Sequence, residues 1–249
     1  YKKHMMMNKI LTLGIALCMV AFSNAQWGKK IKGNGNVVTI ERATEDYNAI
    51  SVAGWFDVIL VDGKEGNLSI EGDENLLEHI KTEVKDGKLV IKVKKGYNLQ
   101  PSSWKKDAGI IVTVPVESVN AVSLSGSGDI VGEKTISASE FNTSMSGSGD
   151  ITLDLESKTV TASMSGSGDI KLSGSTEVFE VQISGSGDIK AYELIADKVD
   201  ASVSGSADIK VTANEELIAR VSGSGDIHYR GDPKKIDSKS SGSGDITKG

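Results

Sequence analysis

The chain has 249 residues, with 28 basic side chains against 34 acidic ones and a single cysteine. Setting aside the first 25 residues, which hold Lys2, Lys3, Lys9 and Cys18, leaves 25 basic residues against 34 acidic, a charge of −9, and no thiol. That remainder has no disulfide or thiolate chemistry. Its charge argues against nucleic acid or anionic lipid as a partner, since both select a basic patch.

Asn8–Ala25 reads as a secretory signal peptide. Lys9 supplies the positive start, Ile10–Phe22 is apolar except for Thr12 and Gly14, and Ser23-Asn24-Ala25 offers small residues before a cleavage expected ahead of Gln26. The apolar run is shorter than the roughly 20 residues of a membrane-spanning helix, so no transmembrane segment is expected once the signal is removed. Residues before Met5 do not read as a native start. Cys18 follows Leu17, a poor match to a lipid-attachment motif, so lipidation at Cys18 is the lesser alternative. The expected localisation is exported: periplasmic, cell-surface or extracellular.

Residues 26–46 read as a linker and a first strand, Val37–Ile40. Residues 47–120 read as a strand-rich region, with Phe56–Val61, Leu68–Ile70 and Leu89–Val93 as strands. Asp73–Ile80 suits one short helix, with an acidic start followed by Leu76, Leu77 and Ile80. Asp86-Gly87, between Val84 and Leu89, reads as a two-residue hairpin turn.

Residues 121–249 form a repeat array. SGSGDI begins at Ser125, Ser146, Ser165, Ser184, Ser222 and Ser241, and SGSADI at Ser204, with spacings of 21, 19, 19, 20, 18 and 19. Before each corner the apolar positions alternate. Leu124, Met145, Met164, Ile183, Val203 and Val221 stand next to it; Phe141, Val160, Phe179, Val199 and Leu217 stand four residues earlier. Ile follows every corner, from Ile130 to Ile246. This is the period of a half-buried strand. One such unit cannot bury its apolar face alone, but stacked units can. The reading is an all-β parallel solenoid of coils of about 19–20 residues; a run of antiparallel hairpins is the alternative. In the last unit Ser238, Ser240 and Lys248 occupy apolar positions, as a polar end cap requires.

Asn48–Val58, NAISVAGWFDV, aligns with Asn120–Ile130, NAVSLSGSGDI. Residues 47–120 thus hold a diverged coil whose corner is Gly-Trp-Phe-Asp. The pattern AISVAGWFDVIL, then EGDENLLEHIKTEVKDGKLVIKV, then serial SGSGDI corners resembles the head GIN domain family, common in Bacteroidetes and labelled as auto-transporter adhesins. The resemblance runs from about Tyr47 to the end of the chain. It implies an all-β secreted domain and no activity.

The chemistry-bearing residues are few. Beyond the leader the histidines are His79 and His228, too isolated for a catalytic triad or a zinc site. The coils resemble one another, and none concentrates acids and bases, so no enzyme and no cofactor are expected. Trp55 and Phe56 stand where a tight corner usually excludes bulk. They serve either as packing under the helix or hairpin of residues 73–93, or as an aromatic platform for a sugar. Ser123, Ser144, Ser163, Gln182 and Ser202, beside Asn142 and Thr161, form a neutral polar ladder that either solvates a strand or docks an unknown glycan or protein. Asp57, Asp129, Asp150, Asp169, Asp188, Asp208, Asp226 and Asp245 stack at coil spacing. They read as structural corners, with calcium as the rival explanation. An envelope scaffold without a ligand is the alternative to a binding module.

Overall fold

A computed structural model describes residues 28–103 and 109–249. The signal peptide, its cleavage before Gln26 and the Cys18 alternative lie outside these residues. The described chain is almost entirely strand, with one short helix.

The array forms from β10 (Ala121–Gly126), β11 (Ile130–Gly147), β12 (Ile151–Gly166), β13 (Ile170–Gly185), β14 (Asp188–Gly205), β15 (Asp208–Gly223), β16 (Ile227–Arg230), β17 (Lys235–Gly242) and β18 (Ile246–Lys248). Each pairs in parallel with the equivalent residues of the next coil, such as Phe141 with Val160 and Phe179 with Val199. The antiparallel alternative is excluded. The structure adds that the return from corner to corner is itself strand, running 16 to 18 residues in β11 to β15. The uneven spacing of the repeats is absorbed there. Register shifts fall between Val131 and Thr135, between Lys171 and Ser173, and between Ala191 and Lys198, while the corners stay aligned. A bulge can take up an extra residue because its side chain turns to solvent; a corner wedged against the coil below cannot.

The diverged coil is β3 (Ala49–Gly54) and β4 (Asp57–Asp62). The aligned residues are physical neighbours: β3 lies against β10 with Ala49 beside Ala121 and Gly54 beside Gly126, and Val58 lies beside Ile130. Beneath them lie β7 (Lys88–Val93) and β9 (Ile111–Val116), parallel to β3 and β4. The remaining N-terminal strands close this end. β2 (Val37–Ala43) and β9 run antiparallel to β5 (Asn67–Asp73), and β6 (Ile80–Lys85) runs antiparallel to β7. Asp86 (φ 52°) and Gly87 (φ 74°) make the hairpin turn between β6 and β7, both left-handed as a type I′ turn requires. A separate pair, β1 (Lys29–Lys32) and β8 (Tyr97–Gln100), packs alongside through Ile31 and Leu99.

The helix, α1, is only Glu74–Leu77, shorter than the expected Asp73–Ile80. Asp73 does not cap it. Its carboxylate accepts the N–H of Gly35 (2.7 Å) and of Ser102 (2.8 Å) instead. The Arg42 guanidinium donates to the carbonyls of Leu77 and Ile80, closing the other end, and Ile80 already belongs to β6.

Asp73 is 3 % exposed. Burial alone raises its carboxyl pKa, but the hydrogen bonds from Ser102 and Gly35 outweigh that and hold it below the ordinary carboxylate value. A depressed folded pKa adds stability that is complete above the unfolded value, roughly 3.9, and is lost as pH falls through the folded value. Asp73→Ala orphans two backbone donors, with an expected cost of about 1–3 kcal/mol at neutral pH. In acid the variant and the parent converge, and melting curves at neutral pH and below pH 4 check both statements.

One hydrophobic core runs the length of the stack, from Tyr47 to Ile227. Ile130, Ile151, Ile170, Ile189, Ile209 and Ile227 form a column with no exposed surface. The final coil ends it with polarity. Ser238 and Ser240 lie beside Ala219 and Val221, and all of β17 is exposed.

Candidate functional site

The glycines explain why the corner recurs. Gly147 has φ 140°, a region that side chains rarely enter. The second glycine is needed for clearance: a Cβ on Gly168 would stand 1.8 Å from the Gly149 carbonyl oxygen in the coil below. The same obstruction faces its counterparts, because each hypothetical Cβ points toward the preceding coil.

That rule accounts for Trp55 and Phe56. The first corner has no such corner beneath it, so Phe56 takes the place that Gly128 holds one coil later, and its ring fills the space under Gly54. Phe56 is 1 % exposed and offers no platform. Trp55 is half-buried against the core, edge-on to Phe56 at 6.4 Å.

The Asp column is a set of joints. The Asp129 N–H donates to Asp57 Oδ1 (3.0 Å), Asp150 to Asp129 (3.0 Å), Asp169 to Asp150 (2.9 Å) and Asp188 to Asp169 (3.0 Å). Asp226 donates to Asp208 (2.9 Å) and Asp245 to Asp226 (2.7 Å). Asp188 and Asp208, at the variant corner, pair as strand residues. A second column, Lys171, Lys190, Lys210 and His228, lies two residues on and projects from the same face. Lys190 pairs with Asp169 at 2.5 Å and lies 3.8 Å from Asp188. The bond to Asp169 leads the rise of the Lys190 pKa above its ordinary value. The like charges are thus compensated by N–H groups along the column and, at Asp169 and Asp188, by Lys190. The D-I-K triplets at 169–171, 188–190 and 208–210 carried this signal in the sequence. The carboxylates stand in single file with an oxygen of most already engaged, and among the described residues no group of three or more His, Cys, Asp or Glu side chains is placed to hold a metal ion.

His79 stacks on Tyr97 at 4.3 Å, and His228 Nδ1 is 2.8 Å from Thr247 Oγ1.

The polar ladder is one face. Ser123, Ser144, Ser163, Gln182 and Ser202 stack in register and continue down to Ser51 and up to Arg220 and Lys239. Ser123 Oγ already donates to the Ile50 carbonyl (3.3 Å). Over β12 to β14 the face sinks into two adjoining shallow troughs. One, about 320 Å³, is lined by Ser163, Ser165, Gln182, Ser184, Ser202 and Ser204 together with the apolar Met145, Met164 and Ile183. The other, about 360 Å³, is lined by Thr161, Glu180, Val181, Gln182, Asp200 and Ser202. Gln182 and Ser202 border both. Glu180 and Asp200 are direct neighbours across coils. Sequence reasoning passed over them because they belong to the next column, where Asn142 and Thr161 looked neutral; carrying the repeat register through all coils would have found them.

No curated protein matches the sequence. A family described as "Putative auto-transporter adhesin, head GIN domain" matches residues 46–233. The fold is shared with a Bacteroides fragilis protein described as a "putative adhesin" (TM-score 0.80, 25 % identity, 88 % of this chain and 99 % of that one). It is shared too with a Parabacteroides distasonis protein described as a "Putative lipid binding protein" (TM-score 0.73, 28 % identity, 89 % and 100 %). A Parabacteroides merdae "putative adhesin" has the same fold at TM-score 0.69 and 22 % identity, over 89 % and 100 % of the two chains. No helix among the described residues is long and apolar enough to cross a membrane. With the match spanning most of the sequence, the chain belongs to the auto-transporter adhesin head GIN domain family.

Proposed function

We propose that this chain is an exported, non-enzymatic adhesion module that holds an extended polyhydroxylated ligand, a glycan, along the outer face of β12 to β14. The observation that carries this is the pair of troughs meeting at Gln182. Hydroxyls and an amide both donate and accept, as sugar hydroxyls do, and Glu180 and Asp200 add acceptors for ligand donors. The coils beneath are fixed by parallel pairing over their whole length, so the groups are preorganised and binding costs little ordering. The signal peptide expected at 8–25 and the family membership support export to the periplasm or cell surface. A lipid-binding role, suggested by the Parabacteroides distasonis relative's description, is supported less. Acyl chains need an enclosed apolar cavity, whereas these troughs are shallow and open, with Met145, Met164, Ile183 and Val181 set among hydroxyl, amide and carboxylate groups.

The test is a glycan array probed with the parent chain and with Gln182→Arg, whose bulk and charge fill the junction of the troughs. Binding to a restricted set of glycans that falls at least tenfold in the variant, at unchanged melting temperature, is the expected result. Uniform blanks would favour a scaffold without a ligand. Binding that survives Gln182→Arg but is lost in Trp55→Ala would move the site to the first corner.

A further inference from the structure

The chain is acidic overall, yet the fold gathers exposed lysines at the end opposite the last coil. β1 lies parallel to β8 with Lys29 beside Tyr97, and the Lys29 N–H donates to the Gly96 carbonyl (2.7 Å). Lys29, Lys30 and Lys32 are thereby brought to Lys94 and Lys95, more than 60 residues away in the sequence. All five are exposed. None forms an ion pair among the described residues, whereas Lys134, Lys190, Lys235 and Lys248 each do. The carboxylates near the group are mostly committed: Asp73 to Gly35 and Ser102, and Glu74 to Asn36. Glu78 borders Lys94 and offsets a single charge.

We infer that this pole is a docking surface for an anionic phospholipid bilayer. Two observations select that partner. The first is charge complementarity: lysines near an anionic leaflet each strengthen attachment several-fold without a shaped pocket, and Tyr97, the ring next to Lys29, is half-buried and already stacked on His79 rather than open to a base. The second is continuity. The apolar run Ile10–Phe22 precedes Gly28 by five residues, 23–27, which span at most roughly 20 Å. Until the cleavage expected ahead of Gln26, engagement of that run with a bilayer holds these lysines near its headgroups, so the pole is presented to the membrane during export. Docked in this way, the solenoid stands with its trough-bearing face alongside the membrane normal and its last coil outermost. The inference does not depend on what the troughs bind. It runs against the expectation drawn from net charge, which does not register a patch assembled from two distant segments.

The test measures sedimentation of the full chain with vesicles of phosphatidylcholine alone and of phosphatidylcholine mixed equally with phosphatidylglycerol. A pole variant carries Lys29→Gln, Lys30→Gln, Lys94→Gln and Lys95→Gln. A control carries Lys171→Gln, Lys210→Gln, Lys234→Gln and Lys239→Gln. Both retain the apolar run, so its own affinity cancels. The expected result is preference for the anionic vesicles, a fall of at least about a hundredfold in the pole variant and a small change in the control. Raising salt on the parent chain reproduces the loss without any substitution, which keeps the test decisive should a variant fold poorly. Equal binding to both vesicles overturns the inference. So does an equal fall in both variants, no fall in the pole variant, or capture by soluble heparin with no vesicle binding.

Discussion

Gly168→Ala is expected to lower the melting temperature by roughly 10 °C, a loss of about 3 kcal/mol or more. The added methyl stands 1.8 Å from the Gly149 carbonyl oxygen, a distance no side-chain rotation can relieve. The obstruction is backbone against backbone, so β12 and β13 must part at the corner, and the hydrogen bond from the Asp169 N–H to Asp150 goes with them. The protein contains its own control. Ala207 occupies the equivalent place in the variant corner and is fully buried. The stack is more open there, since a Cβ on Gly205 would lie 2.6 Å from the Gly185 oxygen, where the matching distance at Gly166 is 2.0 Å. Ala207→Gly is therefore expected to cost under about 1 kcal/mol. Thermal melts of both variants check the contrast, and equal effects would show that clearance does not govern the corner.

Phe179→Ala is expected to cost about 3–5 kcal/mol. Phe179 is fully buried, stacked between Val160 and Val199 in adjacent coils. Neither valine can swing into the vacated space, because both are β-branched and held in strands paired on both sides. Phe179→Leu keeps most of the volume and is expected to lose under about 1.5 kcal/mol. Urea unfolding of the two variants measures the difference. A small loss in the alanine variant would mean that the coils collapse laterally, contrary to a core fixed by register.

The array was legible because its constraint is local and repeated. A glycine needed at every corner and an apolar residue at every second position leave a period that survives in the letters. The same logic made Asn48–Val58 recognisable, and the structure seats it directly under Asn120–Ile130. The N-terminal end was less legible for a physical reason. Its strands serve as a lid and pair across long separations: β1 with β8, and β2 with β5. Asp73 illustrates the difficulty. As a letter before Glu74 it looks like a helix cap, and only the approach of Gly35 and Ser102 turns its carboxylate away. Phe56 was ambiguous for a similar reason, since its burial follows from the absence of a corner beneath it. Of the candidate face, the serine column was readable from the repeat. The troughs were not, because they arise from the difference in size between Gln182 and the serines stacked on either side, together with Glu180 and Asp200 in the adjacent column.

The account rests on the Gly-Asp corners being joints between coils, which leaves the outer face free for a partner. Melting the full chain in excess chelator and again in millimolar calcium tests this most directly. Carboxylates that accept N–H groups from the next coil and lie beside a lysine column should be indifferent to both, so the two melting temperatures should agree within about 1 °C by that compensation. A drop of many degrees on chelation, restored by calcium, would show that the column is a metal site and would contradict the account.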